Sequence, residues 1–232
     1  MTPYYEHGGI TIYHGDCREI LPQLSDRVDV VLTDPPFFMP ATHYQSRVQY
    51  QRAWSDTSIL ATFWAVVIDG CLPMLKRTGH FITFCNGESY PVFYPEMYRR
   101  FDFLKRLVWD KGHVGLGRVW RNQHELAIAG RWSSSEFNED RVLRADVFRF
   151  SATPSADREH PVQKPTQMLS WLIAPTAPLD GLILDPFAGS GSTLEAARNS
   201  GRRAIGIEGE ERYCEIAAKR LSQEVLPLER PA

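Results

Sequence analysis

Leu182-Ile183-Leu184-Asp185-Pro186-Phe187-Ala188-Gly189-Ser190-Gly191-Ser192-Thr193 is the stretch on which the fold turns. An apolar strand ends in a carboxylate, a glycine turn follows, and a helix opens on Ser/Thr. Glycine lets backbone approach a ligand closely and adopts dihedrals that other residues resist. The helix start then presents unpaired N–H groups. Outward along the chain, a second strand, Arg203-Ala204-Ile205-Gly206-Ile207-Glu208, ends in an acid 23 residues after Asp185. Such an acid suits a bidentate grip on the two hydroxyls of a ribose.

The ligand of this turn can be narrowed. A P-loop requires a lysine after its last glycine, and Ser192 stands there. A dinucleotide fingerprint requires a third glycine, and Leu194 holds that position. Phosphate is therefore a poor match. A ligand with a ribose, an ammonium and a carboxylate fits, and S-adenosylmethionine has all three. A bare strand-to-helix turn would have no use for an acid at the end of the next strand.

A second apolar strand delivers Val30-Val31-Leu32-Thr33-Asp34-Pro35-Pro36-Phe37. Open α/β sheets place ligands at this carboxyl end. The prolines have no N–H to donate, so a stiff backbone offers carbonyl acceptors. Asp34 and the Pro35 carbonyl could together take both hydrogens of a planar amino group, with Phe37 as a stacking face for its ring.

Around these two stretches, short apolar runs alternate with amphipathic ones, the pattern of an α/β protein with a mostly parallel twisted sheet and helices on both faces. Strands are expected at Ile10–Tyr13, Val28–Thr33, His80–Phe84, Phe103–Trp109, Leu126–Ala129, Leu182–Asp185 and Ala204–Ile207. Helices are expected at Ser58–Leu75, Ser89–Arg100, Thr166–Ile173, Ser192–Asn199 and Glu211–Leu221, with Gly79 and Gly201 as helix stops. Residues 38–56 and 131–162 lack a period and read as functional loops or partly disordered segments, and 226–232 read as a tail. One domain over residues 1–232 is the expectation.

Composition removes several classes. No run of about 18 apolar residues exists to span a membrane, and the first residues lack the apolar core of a signal peptide. Cys17, Cys71, Cys85 and Cys214 show no metal spacing and read as reduced cytosolic thiols, so a cytoplasmic protein is expected. The seven histidines never fall into a metal-ligand spacing, and no metal is expected. The net charge of −2 is unevenly spread: residues 99–164 carry 13 Lys/Arg against 9 Asp/Glu, and the remainder 13 against 19. A polyanion would therefore meet the central segment. Trp109, Trp120, Trp132 and Trp171 read as packing residues, and Trp54, beside the Asp34 loop, as packing residue or base platform.

With these motifs in this order, the chain resembles the S-adenosylmethionine-dependent DNA amino-methyltransferases, in the permuted (β-type) class whose catalytic motif precedes the cofactor motif. The likeness rests on Gly15-Asp16-Cys17, Asp34-Pro35-Pro36-Phe37, Trp109-Asp110-Lys111, Arg121-Asn122-Gln123-His124-Glu125, His160-Pro161-Val162-Gln163-Lys164-Pro165, Asp185 to Thr193, and Gly206-Ile207-Glu208 with Tyr213 and Ile216 to Leu221 beyond. Ser192-Thr193 stands where Thr-Thr is common, and Phe37 where Tyr is. The resemblance implies a Rossmann-like methyltransferase fold. It implies Asp34, Pro35, Pro36 and Phe37 as the catalytic motif, and Asp185, Phe187, Gly189, Ser190, Gly191, Ser192 and Thr193 around the methionine portion. Glu208 is then expected on the ribose, Asp16 with Cys17 near the adenine, and Lys164, Pro165 and Thr166 closing the methionine end. Segments 38–56 and 110–160 are expected to face double-stranded DNA, with the target base flipped out of the stack.

The same resemblance implies a restriction-modification setting, and analogy alone suggests a homodimer. Asp before Pro-Pro leans toward N6 of adenine, where Ser would lean toward N4 of cytosine. Carbon-5 methylation needs a nucleophilic thiolate, usually after proline, and no cysteine here follows proline. A catalytically silent nucleic-acid-binding module is the remoter alternative, against which the intact Asp34 and Glu208 speak.

Overall fold

The computed structural model describes residues 1–38, 56–115, 119–138, 143–152 and 163–222. Among them the chain runs β1 (Tyr5–His7), β2 (Ile10–His14), α1 (Cys17–Ile20), a 3₁₀ turn (Leu21–Gln23), β3 (Val28–Thr33), α2 (Thr57–Cys71), β4 (Leu75–Cys85) and α3 (Tyr90–Tyr98). It continues through β5 (Phe103–Asp110), β6 (His124–Arg131), β7 (Val147–Arg149), α4 (Thr166–Ile173), β8 (Leu182–Asp185), α5 (Ser192–Asn199), β9 (Arg203–Glu208) and α6 (Glu211–Ser222).

Every residue of β3 and of β8 is buried, as strands covered on both faces must be. They lie side by side and parallel at the centre of one sheet of order β1-β2-β9-β8-β3-β4-β6-β5-β7. β2, β9, β8, β3 and β4 are mutually parallel, β6 runs antiparallel to both β4 and β5, and β1 closes the far edge antiparallel to β2. Alternation along the central strands divides the core in two. Val31, Phe81, Leu184 and Ile207 pack against Trp64 and Ile68 of α2 and Phe93 of α3 on one face. Val30, Leu32, Ile82 and Ile183 pack against Leu169 of α4, Leu194 of α5 and Cys214 of α6 on the other. The expected α/β architecture with helices on both faces is what is found. None of the described helices is long and apolar enough to cross a membrane.

β3, β8 and α4 and α5 have the expected limits, and most other elements differ by a residue or two. The expected helix from Ser58 ends at Cys71, and β4 starts at Leu75. Gly79 therefore caps no helix. It lies within β4, where a Cβ would stand 2.5 Å from the Asp29 carbonyl oxygen. Gly201, with φ of +70°, does follow α5 as a left-handed stop. β1 and β7 carry too few apolar residues to show a period; partners supply their pairing.

Candidate functional site

β3 and β8 are neighbours, yet the chain leaves them in opposite directions. From β3 it crosses one face through α2 to β4, and from β8 it crosses the other through α5 to β9. Such a switch point opens a crevice at the carboxyl ends of the two strands. Asp34 follows β3 and Asp185 ends β8, so both carboxylates reach that crevice. Thr33, Asp34, Phe84, Lys164, Asp185 and the Phe187-to-Thr193 loop line a cleft there of about 470 Å³ including its mouth.

Asp185 is 2% exposed. Its Oδ1 accepts from the Thr33 hydroxyl at 2.8 Å and from the Phe187 N–H at 3.0 Å. Burial nonetheless pushes its carboxyl up to about 6, against the pull of hydrogen bonds from Thr193, Phe187 and Thr33. The turn beyond it needs both glycines. Gly189 has φ of +52° and a Cβ there would meet nothing within 4 Å, so its bare Cα faces open space. Gly191, at φ of +82°, caps α5, and its Cβ would stand 3.0 Å from Ala217 of α6. The first glycine leaves room for a ligand and the second for a helix.

Glu208 closes the same turn from β9. Its Oε2 accepts from the Gly189 N–H at 2.8 Å and its Oε1 from the Glu210 N–H at 2.8 Å. Burial raises its pKa despite these donors. The Gly15 N–H donates to the Glu208 carbonyl at 2.9 Å, bringing the Asp16 loop beside it. Asp16 itself caps α1 and pairs with the Arg18 guanidinium, whose hydrogen bonds hold its carboxyl below the usual range.

The Asp34 loop is held from two sides. Beyond Phe37, the Phe38 N–H donates to the Ser89 hydroxyl at 2.7 Å, and Asn86 Nδ2 donates to the Phe38 carbonyl at 3.0 Å. Ser89 is tied back to Asn86, so a turn after β4 fixes the stretch that Pro35 and Pro36 stiffen. On the other side the Lys164 ammonium, 6% exposed, donates to Asp34 Oδ2 and stands 3.3 Å from Glu125 Oε2. It also lies 5.1 Å from the centre of the Phe84 ring and 5.6 Å from that of Phe37. Burial pushes the Asp34 carboxyl up against the pull of Lys164. Asp34 Oδ1 is buried with no hydrogen-bond partner among the described residues.

The structure thus brings together Asp34, Lys164, Asp185, Phe187, Gly189, Ser190, Ser192 and Thr193 on one cleft, with Gly191 and Glu208 shaping its turn. Phe187 packs against Phe63 of α2 at 5.8 Å between ring centres. Cys17 and Thr166 stand differently. The Cys17 side chain is in the core and burial pushes its thiol up to about 12. Thr166 donates to Glu195, which pairs with Arg220, a tie between α4, α5 and α6 just after Pro165. His160, Pro161 and Val162, Trp54 and most of 38–56 lie outside the described residues. Trp109 and Trp132 are buried, but Trp120 is 95% exposed and does not pack as expected. Thr33, Asn86 and Ser89 carry roles to which no local pattern pointed, and Glu125, though in a matched segment, had no role assigned to it.

Residues 119–219 match the N6/N4 DNA methylase family. Type II methyltransferase M.ScaI of Streptomyces caespitosus is 27% identical over 97% of this chain and 86% of its own. The crystal structure of the M1.HpyAVI–SAM complex superposes with a TM-score of 0.73 and 25% identity, over 92% of this chain and all of that one. The cytosine-N4-specific PvuII DNA methyltransferase has the same fold, with a TM-score of 0.77 and 18% identity over 97% of this chain and 90% of its own. These likenesses agree with the family resemblance read from the motifs.

Proposed function

We propose that this chain, a DNA methyltransferase that uses S-adenosylmethionine, delivers the methyl group to the exocyclic N6 amine of adenine in DNA. The observation that carries this reading is Asp34: a half-buried carboxylate at the switch point, whose buried Oδ1 has no hydrogen-bond partner among the described residues, on the same cleft as the glycine turn.

The cleft fits the cofactor. Asp185 is a carboxylate for its ammonium, the N-terminus of α5 offers N–H groups for its carboxylate, and Glu208 is an acceptor for the ribose hydroxyls. Gly189 leaves open the space that any side chain would fill. Phe187, Ser190, Ser192 and Thr193 complete that wall, with Asp16 on the adenine side. When bound, the cofactor supplies a methyl carbon activated by a positively charged sulfur, which departs as a neutral thioether.

The protein's share is to prepare the nucleophile. An exocyclic amine is a weak nucleophile because its lone pair is delocalised into the ring. Asp34 Oδ1 and the Pro35 carbonyl accept one N–H each, which favours a pyramidal nitrogen whose lone pair can form the new N–C bond. The positive charge gathering on that nitrogen faces the Asp34 carboxylate, and the proton it sheds leaves by way of Asp34 to solvent. The gain lies in positioning and in charge placed before the reaction begins. Phe37 provides the face on which the extruded base rests, Pro36 holds that face rigid, and extrusion from the duplex is required for the amine to arrive.

Single-turnover transfer of a labelled methyl to duplex DNA, followed by nuclease digestion and mass analysis, tests the reading. N6-methyladenine is expected. N4-methylcytosine would overturn the choice of base, and no labelled base would overturn the activity.

A further inference from the structure

Lys164 is buried between two carboxylates, although one would balance its charge. Its ammonium donates to Asp34 Oδ2 and lies 3.3 Å from Glu125 Oε2. Glu125 is tied at its other oxygen, where Lys111 Nζ donates to Oε1 at 3.0 Å. Four charges of alternating sign, Lys111, Glu125, Lys164 and Asp34, therefore run from the end of β5 to the end of β3. Backbone pairing fixes the middle of this row, since Glu125 on β6 stands opposite Trp109 on β5. Buried ion pairs are a poor source of stability, and two carboxylates in one buried site repel. Such an arrangement calls for a use beyond folding.

We infer that Glu125 is a positioning residue for methyl transfer: by sharing the buried Lys164 ammonium with Asp34, it keeps that ammonium on Oδ2 and leaves Oδ1 unpaired for the target amine. This rests on the reading of Asp34 as the amine's acceptor. An ammonium with a single carboxylate partner can centre itself across both oxygens and block the acceptor. A second carboxylate, whose Oε2 makes no hydrogen bond among the described residues but stands 3.3 Å from the ammonium, draws it to one side by charge, and Asp34 Oδ1 is likewise without a hydrogen-bond partner among them. Glu125 also acts through its charge. A second carboxylate near Asp34 raises its proton affinity, and a more basic carboxylate is a stronger acceptor for the hydrogen of a nitrogen becoming cationic. Lys111 moderates the effect by neutralising Glu125 from the outer side.

The groups facing Asp34 among the described residues are Lys164 from the segment before α4, Glu125 from β6, Cys85 from β4 and Asp185 from β8. Cys85 is neutral, its thiol pushed up to about 12 by burial. Asp185 is pushed up to about 6, chiefly by burial and in part by Asp34.

The test is single-turnover methyl transfer measured against pH for the wild type, Glu125→Gln, Lys111→Met and Asp34→Ala, with cofactor and DNA affinities measured alongside. Glu125→Gln is expected to lose at least about ten-fold in rate at neutral pH, on the scale of a misplaced reacting group, with both affinities retained. Its acid limb should move to lower pH, because one negative charge facing Asp34 is gone. Lys111→Met should move the acid limb the other way, because Glu125 is then unneutralised. An unaltered rate in Glu125→Gln, or a rate loss with an unmoved acid limb, would overturn the inference. If Glu125→Gln does not fold, Lys111→Met decides alone: an upward displacement supports the role and an unmoved limb overturns it. An active Asp34→Ala protein would overturn the acceptor reading together with this one. An inactive Asp34→Ala beside an unaltered Glu125→Gln overturns only the role of Glu125.

Discussion

Asp34, just past β3, and Asp185, at the end of the neighbouring β8, carry opposite demands. Asp34 is to act on the transition state more than on the ground state, because its hydrogen bond strengthens as the amine pyramidalises. Asp34→Ala is therefore expected to lose methyl transfer by a factor of at least about 100, the scale of losing one preorganised polar group. Cofactor affinity, which the proposed reading assigns to the turn after β8 and to Glu208, should persist in calorimetric titration; an active variant would sink the mechanism. Asp185 is instead proposed to bind the cofactor in the ground state, and its burial works against the fold. Its carboxyl titrates at about 6, above the ordinary 3.8. A raised carboxyl pKa means stability that is complete below the unfolded value and is lost as pH rises through the folded value. The loss falls between about pH 4 and pH 6 and is on the order of 3 kcal/mol. Asp185→Asn removes that titration. Denaturant unfolding at pH 4 and pH 7.5 should show the variant gaining on the wild type by roughly 2–3 kcal/mol across this window, while losing its grip on an ammonium. A difference that does not change with pH would show that Asp185 is not strained by burial.

At the scale of elements, the two glycine-bearing segments around α5 separate binding from folding. The Gly189 side of the turn opens to the cleft, whereas a Cβ at Gly206 on β9 would stand 2.7 Å from Leu194 Cδ1 and 2.9 Å from the Ala188 Cβ. Gly206→Val must therefore shift the Leu194 side chain of α5 and Ala188 of the turn before it, an overpacking that costs about 1–3 kcal/mol. At Gly189 an added Cβ meets nothing within 4 Å, and the left-handed φ of Gly189→Val costs about 1–2 kcal/mol. Its larger effect should be on the cofactor, whose space it occupies. Titration calorimetry and thermal melts of both variants are expected to give opposite rankings: Gly189→Val folded but weak in binding, Gly206→Val less stable but able to bind once folded. Glu208→Ala should side with Gly189→Val, since Glu208 holds the Gly189 N–H. Normal cofactor affinity in both would remove the site from this turn.

Over the whole molecule, charge divides more clearly than the net of −2 suggests, with the positive excess in residues 99–164. The β5–β6 connection in that segment rises at the carboxyl edge of the sheet, on the same side as Asp34. It is knit by Asp110, which accepts from Gln123 and Gly112 and pairs with Arg149; these hold its carboxyl down at about 2. Arg121 braces the loop by donating to the Gly115 carbonyl at 2.6 Å, and Val119 and Trp120 stand exposed beside it. DNA affinity is expected to fall with salt through counterion release. Replacing Arg118 and Arg121 together with alanine should reduce the log–log salt slope by about 2, one contact for each arginine. An unchanged slope would leave the positive excess as a solvated face. Arg118 itself lies outside the described residues.

The sequence by itself determined the alternation of strands and helices, the glycine turn and the carboxylates that end β3, β8 and β9. These are local matters: apolar period, dihedral freedom at Gly189 and Gly191, and chain stiffness at Pro35 and Pro36 are written in consecutive residues. It also read Gly79 as a helix stop, because a glycine after an apolar run looks the same whether a helix ends or a strand passes close to another backbone. Only the tertiary structure decided what meets across the cleft. Lys164 lies 130 residues from Asp34 in the chain, and nothing in its own neighbourhood says that its ammonium would turn to that carboxylate and to Glu125. Asn86 and Ser89, which pin the Asp34 loop, and Cys17, whose side chain goes to the core, were settled in the same way. The physical reason is that a buried charge or hydrogen bond is satisfied by whichever group the packed sheet brings within reach, and strand order, not sequence distance, sets that reach.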